Sequence, residues 1–172
     1  MFRLRKLSRE FADDVFLVPF RSPLAHSQSL LDQHVRFTNR STFESDYMKW
    51  LGHFEFGDTQ KHFLFDDRNK CSRSTEQLEY WLDVWIRTYS SVLDIVDSGA
   101  ANLVLICYEQ LCDNNPRYFA QIARKCDLPD FSAEFKASSK KPSFDVAPDL
   151  RNKAENLYNR LCEAGNQRLM AV

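Results

Sequence analysis

Two runs of consecutive apolar residues, 15–20 and 103–107, interrupt an otherwise mixed pattern of polar and apolar positions. An apolar run without alternation is typical of a strand that is buried on both faces, as in a parallel sheet covered by helices. Both runs are therefore predicted to be strands that are neighbours or near neighbours in one parallel sheet. Pro19 has no amide hydrogen, so we expect the pairing of the first strand to loosen at its carboxyl end.

Apolar positions at helical spacing predict helices over residues 4–11, from 23 to about 36–39, and over 75–96, 116–126 and 148–170. The third of these follows Ser74-Thr75-Glu76-Gln77, which matches a capping box, and Gly99 marks its end. One face of this helix is apolar throughout and is predicted to pack on the sheet. The residues of this face are Leu78, Trp81, Leu82, Trp85, Tyr89, Val92 and Val96. The order of strands and helices predicts an α/β fold in a single domain over residues 1–172.

Residues 40–73 have no clear period but many aromatic side chains. A satellite hydrophobic cluster beneath a loop explains such a composition. His53 and Glu55 lie within this segment with one residue between them, so on an extended chain both side chains point the same way.

Composition excludes several classes of function. The net charge is −1 and there is no long basic run, which argues against nucleic acid as a partner. No apolar stretch reaches the length of a membrane span, so we expect no membrane association. The five cysteines are not spaced as metal ligands, so no metal is expected. Reduced thiols are typical of a cytoplasmic protein.

The junction after the first strand is a candidate anion site. Arg21 follows the strand, and Ser22-Pro23 is a typical helix start. Free amides and the helix dipole at such a junction favour phosphate, and a guanidinium pairs with it in a bidentate way. Ser22 and Ser29 are two turns apart on one helical face. The competing interpretation is a solvated arginine or an ordinary salt bridge.

The segment Phe20-Arg21-Ser22-Pro23, with Ser29 eight residues after the arginine, resembles the 3′-phosphate-binding segment of the PAPS-dependent sulfotransferases. PAPS is 3′-phosphoadenosine 5′-phosphosulfate, the sulfuryl donor of that family. A second match follows about ninety residues later, where an apolar strand ends in Tyr108-Glu109-Gln110-Leu111 and a helix leads to Asp127-Leu128-Pro129. The resemblance covers roughly residues 1–130. It implies the later part of a P-loop-type fold, a three-layer arrangement in which helices flank a parallel sheet.

The resemblance also implies roles for individual residues. Arg21 and Ser29 would hold the 3′-phosphate, with Ser22 as a weaker candidate, and Tyr108 would meet the adenine. Lys140 and Lys141 lie where the family has a basic 3′-phosphate segment, but its arginine–lysine–glycine form is absent. Each role has a structural alternative: Tyr108 as a core residue at a strand end, and the two lysines as a solvated hinge. Glu109 is expected to secure backbone or an arginine rather than to perform chemistry.

The family's phosphosulfate loop has no counterpart in this chain, because the four glycines, at 52, 57, 99 and 165, form no phosphate-binding pattern. The chain therefore resembles the carboxyl-terminal part of such an enzyme, and we expect activity only when another segment or another chain supplies the missing part. The catalytic base is not identified. His53 and Glu55 are weak candidates for it or for acceptor contact, and the aromatic segment around them would help to wall the acceptor pocket.

The leading hypothesis is transfer of a sulfuryl group from PAPS to a hydroxyl or amine of a small-molecule or glycan acceptor. The alternative is a non-catalytic interaction or regulatory module that keeps a remnant of the nucleotide pocket. A P-loop kinase is disfavoured because the chain has neither G-x-x-x-x-G-K nor an acidic strand end of the Walker B type.

Overall fold

The computed structural model describes residues 2–62, 73–137 and 146–170, and over these residues the fold is α/β. It contains seven helices and a two-stranded parallel sheet. The elements in chain order are α1 (Phe2–Glu10), β1 (Phe16–Phe20), α2 (Pro23–Thr38), α3 (Thr42–Trp50), α4 (Leu78–Asp97), β2 (Leu103–Cys107), α5 (Tyr108–Cys112), α6 (Pro116–Lys125) and α7 (Pro148–Met170).

The predicted parallel pairing of β1 with β2 is confirmed, and its register runs without interruption from Phe16↔Leu103 to Phe20↔Cys107. The expected loosening at Pro19 is wrong. The amide of Phe16 donates to the carbonyl of Asn102, so the amides of every second residue from Phe16 point toward β2. Pro19 is three residues after Phe16, and its nitrogen therefore points away from β2. Pro19 therefore removes no donor from the ladder, as is usual for proline in an edge strand.

Burial on both faces is confirmed for β2 but is wrong for β1, where Leu17 is 45% exposed. The register places Leu17 beside Val104 on one face of the sheet. On that face Val104 and Ile106 are covered by Tyr118 and Ile122 of α6 and by Leu169 of α7, residues that lie over β2 and leave β1 open.

The main core lies on the other face of the sheet, where α4 and α7 pack. Leu103, Leu105 and Cys107 of β2 meet the α4 side chains Trp85, Tyr89 and Val92 there, together with Leu157 and Leu161 of α7. Every residue of the predicted apolar face of α4 is buried. The predicted packing on the sheet is wrong for Trp81, which packs on Phe56 and Leu30 instead.

The predicted start of α4 is wrong. The hydroxyl of Ser74 accepts a hydrogen bond from the amide of Glu76, and the carbonyl of Ser74 accepts one from the amide of Gln77. These two bonds form a turn rather than a helix cap. The carbonyl of Thr75 accepts from the indole of Trp81, so α4 begins only at Leu78. The capping box that does form is Ser41 with Glu44, and it starts α3, a helix that we did not predict within the aromatic segment.

The close approach of α7 to β2 depends on Gly165. A Cβ at this position would lie 2.8 Å from the carbonyl oxygen of Leu105. Glycine thus lets the two backbones come within a distance that no other residue permits. In the described part of the chain no helix is long and apolar enough to cross a membrane.

Candidate functional site

The candidate site lies where β1 and β2 end side by side. Because Phe20 pairs with Cys107, the next residues along each strand, Arg21 and Tyr108, emerge at the same edge of the sheet. The helices α2 and α5 begin at this edge. Ligands of parallel sheets bind at the carboxyl ends of strands, which is the edge that the sequence indicated.

Arg21 is held against the ring of Tyr108, with Cζ 5.1 Å from the ring centre. The Nε of Arg21 is buried and has no hydrogen-bond partner within the described residues. The Tyr108 hydroxyl donates to the carbonyl of Lys136 at 2.8 Å, which fixes the ring. Tyr108 is only partly buried, so the alternative of a core tyrosine is wrong. A guanidinium so placed, with no carboxylate paired to it in the described residues, can accept an anion.

Glu109 joins the two strand ends, as expected for a residue that secures backbone. Its Oε1 accepts from the amide of Ser22 at 3.0 Å, and its Oε2 accepts from the Tyr158 hydroxyl at 2.9 Å. The Cys107 thiol also donates to Oε2, at 3.5 Å. The carboxylate thus occupies the first free amide before α2, so a bound phosphate would have to use Arg21 and the following turn.

The first turn of α2 is not capped by the side chain of its own N-cap residue. Ser22 is at the N-cap position, but its hydroxyl makes no capping bond, and Pro23 has no amide hydrogen. The amides of Leu24 and Ala25 lack acceptors within the helix. They remain directed toward the edge that carries Arg21, together with the positive end of the α2 dipole.

His26 is a further residue of the site, because its ring interacts electrostatically with Arg21 and Glu109. Its Nδ1 is buried and has no partner in the described residues. Burial lowers the pKa of His26, the Arg21 guanidinium lowers it further, and the Glu109 carboxylate acts in the opposite direction. The ring is therefore neutral at pH 7 and can donate or accept one hydrogen bond at the site. The sequence signal was its position, one turn after Ser22 on α2.

The other predicted site residues are placed less closely. Ser29 is on α2 but is exposed, and the buried serine of this helix is Ser27, whose hydroxyl has no partner among the described residues. His53 and Glu55 are brought together, 3.5 Å apart, on an exposed loop. Across the described residues no hydrogen bond or ion pair joins either of them to Arg21. Lys140 and Lys141 lie outside the described residues.

The aromatic segment divides into two parts. Phe56 stacks on Trp81 and contacts Phe37, which confirms a satellite cluster for that residue. On α3 the rings of Phe43, Tyr47 and Trp50 stack in series and are exposed, so the satellite interpretation is wrong for this helix.

A cavity of about 440 Å³ lies at the opposite edge of the sheet, between α1 and the loop before β2. It is lined by Arg5, Arg9 and Asn102 among others, and this edge holds the amino ends of the strands. We place the candidate site at Arg21 because that edge has the helix start and a buried donor without a partner in residues 2–62, 73–137 and 146–170. The described residues contain no cluster of three or more side chains suited to a metal ion.

No protein family, curated protein or solved structure matches the chain.

Proposed function

We propose that Arg21 and the start of α2 bind the 3′-phosphate of an adenine nucleotide, and that the chain is a sulfotransferase-like protein using PAPS as co-substrate. The observation that carries the proposal is the buried Nε of Arg21, which has no partner in the described part of the chain, beside a helix start that the Ser22 hydroxyl does not cap. A buried guanidinium nitrogen that has no acceptor among the described residues gains most from an anion supplied by a ligand. The resemblance of Arg21, Ser29 and Tyr108 to the family segments supplies the identity of that ligand.

Three groups would contact the nucleotide. Arg21 would pair with the phosphate oxygens, and the Leu24 and Ala25 amides would donate from the first turn of α2. Tyr108 has its hydroxyl engaged by Lys136, so its ring is the part left for the adenine. The parallel sheet with helices on both faces of β2 supports the proposed three-layer, P-loop-type fold.

In the proposed reaction the acceptor hydroxyl or amine attacks sulfur in line with the departing phosphate oxygen, and a general base takes its proton. His53 and Glu55 stay candidates for that base only as part of a site completed by further residues. Their exposed loop position favours a second hypothesis, a non-catalytic module that keeps the nucleotide pocket. A chain that binds 3′-phosphoadenosine 5′-phosphate but does not consume PAPS with hydroxyl and amine acceptors would support this module.

Replacing Arg21 by alanine should weaken the binding of 3′-phosphoadenosine 5′-phosphate by about ten-fold or more, since a charge-assisted hydrogen bond to phosphate contributes roughly 1.5–3 kcal/mol. Ser29→Ala should have a smaller effect, because it removes one neutral donor. Calorimetric titration of the chain measures both. Adenosine 5′-phosphate, which lacks the 3′ group, should be nearly indifferent to either change.

Arg40→Ala is the matched control, because Arg40 also lies over an aromatic ring, that of Phe37, but near the other end of α2. It should leave the nucleotide affinity unchanged. Equal affinity of the wild-type chain and Arg21→Ala for the 3′-phosphorylated nucleotide would contradict the proposed function and leave Arg21 a packing role.

A further inference from the structure

Two thiols meet where the last residue of β2 faces α7. The Sγ atoms of Cys107 and Cys162 are 4.0 Å apart, and the Cys162 thiol donates to Cys107. Cys107 is buried, while Cys162 is partly exposed beside it. The other two cysteines in the described residues, Cys112 and Cys126, make no contact with a thiol there.

The packing of α7 against β2 fixes these two thiols next to each other. Gly165 brings α7 against Leu105 of β2, and its backbone contact leaves no room for a side chain. Cys162 precedes Gly165 by one helical turn, and Cys107 follows Leu105 by two residues on the same face of the strand. The closest contact between helix and strand is therefore adjacent to the thiol pair.

The surroundings of Cys107 favour its reactive form. The Cys162 thiol, as a hydrogen-bond donor, is the strongest influence on the pKa of Cys107, and together with the Tyr158 hydroxyl at 3.4 Å it lowers that pKa to about 7. Burial and the Glu109 carboxylate act in the opposite direction. The same contact with Cys107 raises the pKa of Cys162, which keeps that thiol protonated. The Cys107 thiol is thus suited to act as a nucleophile, and the Cys162 thiol is suited to form a disulfide with Cys107 once Cys107 is oxidised.

We propose that Cys107 and Cys162 are a peroxide-responsive pair that forms a reversible disulfide linking β2 to α7. The Cys107 thiolate attacks one oxygen of hydrogen peroxide, which breaks the O–O bond and releases hydroxide, and Cys107 becomes a sulfenic acid. Cys162 sulfur then attacks the Cys107 sulfur, the S–S bond forms, and the hydroxyl group leaves as water with the Cys162 proton. The two sulfurs lose two electrons in total, and the peroxide is reduced to two waters, because the hydroxide takes up the proton that Cys107 released when it became a thiolate.

The required movement is small. The sulfurs must close from 4.0 Å to a bond of roughly 2.05 Å, which side-chain rotation and a slight shift of α7 can supply. The new bond would close a loop between residues 55 apart in sequence. A cross-link of that span restricts the unfolded chain, so the oxidised protein should melt roughly 10 °C higher than the reduced protein.

The test is treatment of the folded wild-type chain with hydrogen peroxide, followed by alkylation, digestion and mass spectrometry. We expect a linked pair of peptides that contain Cys107 and Cys162, and loss of the link and of the melting shift with a thiol reductant. Cys126→Ser, the control, should form the same link, whereas Cys162→Ser should not and should carry over-oxidised Cys107. Wild-type protein in which both thiols remain alkylatable after peroxide, or in which Cys107 links to a different cysteine, would overturn the proposal.

Discussion

Replacing Trp85 by alanine should lower the free energy of unfolding by about 3–5 kcal/mol, the range for deleting a large buried aromatic side chain. Trp85 is 1% exposed in the centre of the main core, and its ring lies 4.8 Å from that of Tyr89. Its removal would leave a cavity between α4 and the sheet. The indole N–H has no acceptor within the described residues, which places the expected loss toward the lower part of the range.

Trp50→Ala is the matched control, because Trp50 is 79% exposed on α3 and its removal should change the free energy of unfolding by no more than about 0.5 kcal/mol. Urea unfolding of the two variants, followed by fluorescence or circular dichroism, gives the comparison. A loss of less than about 1 kcal/mol for Trp85→Ala would contradict its place in the core.

Helical periodicity was the most informative signal for the fold. It predicted the limits of α7 and the buried face of α4, because apolar residues that repeat once per helical turn lie on one face of a helix, and that face packs on the core. It did not reveal that β1 has an open face. Leu17 and Val104 are equally apolar, and only the position of α6 over β2 decides that one is covered and the other is not.

Capping signals were less reliable because they are short. Ser74 to Gln77 and Ser41 to Glu44 both fit the capping-box pattern, yet only the second caps a helix. The difference is a contact that lies outside the capping box, since the indole of Trp81, six residues further along the chain, donates to the carbonyl of Thr75. The four residues of the capping pattern do not include that indole.

Part of the candidate site was predictable from strand ends alone. Two parallel strands in register bring the residues that follow them together, so Arg21 and Tyr108 meet even though 87 positions separate them in sequence. The burial of His26 Nδ1 without a partner in the described residues and the Cys107–Cys162 contact were not predictable, because each depends on how a helix is rotated against the sheet. The same rotation decides that Ser27 is buried while Ser29 is exposed.

Replacing Gly165 by alanine should destabilise the protein, by about 1–3 kcal/mol, although the same change in an exposed helix stabilises by roughly 0.5–1 kcal/mol. The reason is the Leu105 carbonyl oxygen, which would lie 2.8 Å from the new Cβ, while the Leu105 Cβ would lie at 3.3 Å. Both atoms belong to a strand that is buried on each face, so neither can move without disturbing the pairing with β1 or the packing of α4. The helix must shift outward instead, and the contacts of Leu161 and Leu169 with the core weaken.

Thermal and urea unfolding of Gly165→Ala, beside Glu163→Ala as control, decides between the two effects. Glu163 is exposed two residues earlier on α7, so its replacement should change the free energy of unfolding by no more than about 0.5 kcal/mol. The outward shift also separates the Cys107 and Cys162 sulfurs, so Gly165→Ala should form the disulfide more slowly with hydrogen peroxide than the control does. A gain in stability for Gly165→Ala would show that α7 does not approach Leu105 this closely, and the positions of Cys162 and Tyr158 beside Cys107 and Glu109 would then be wrong as well.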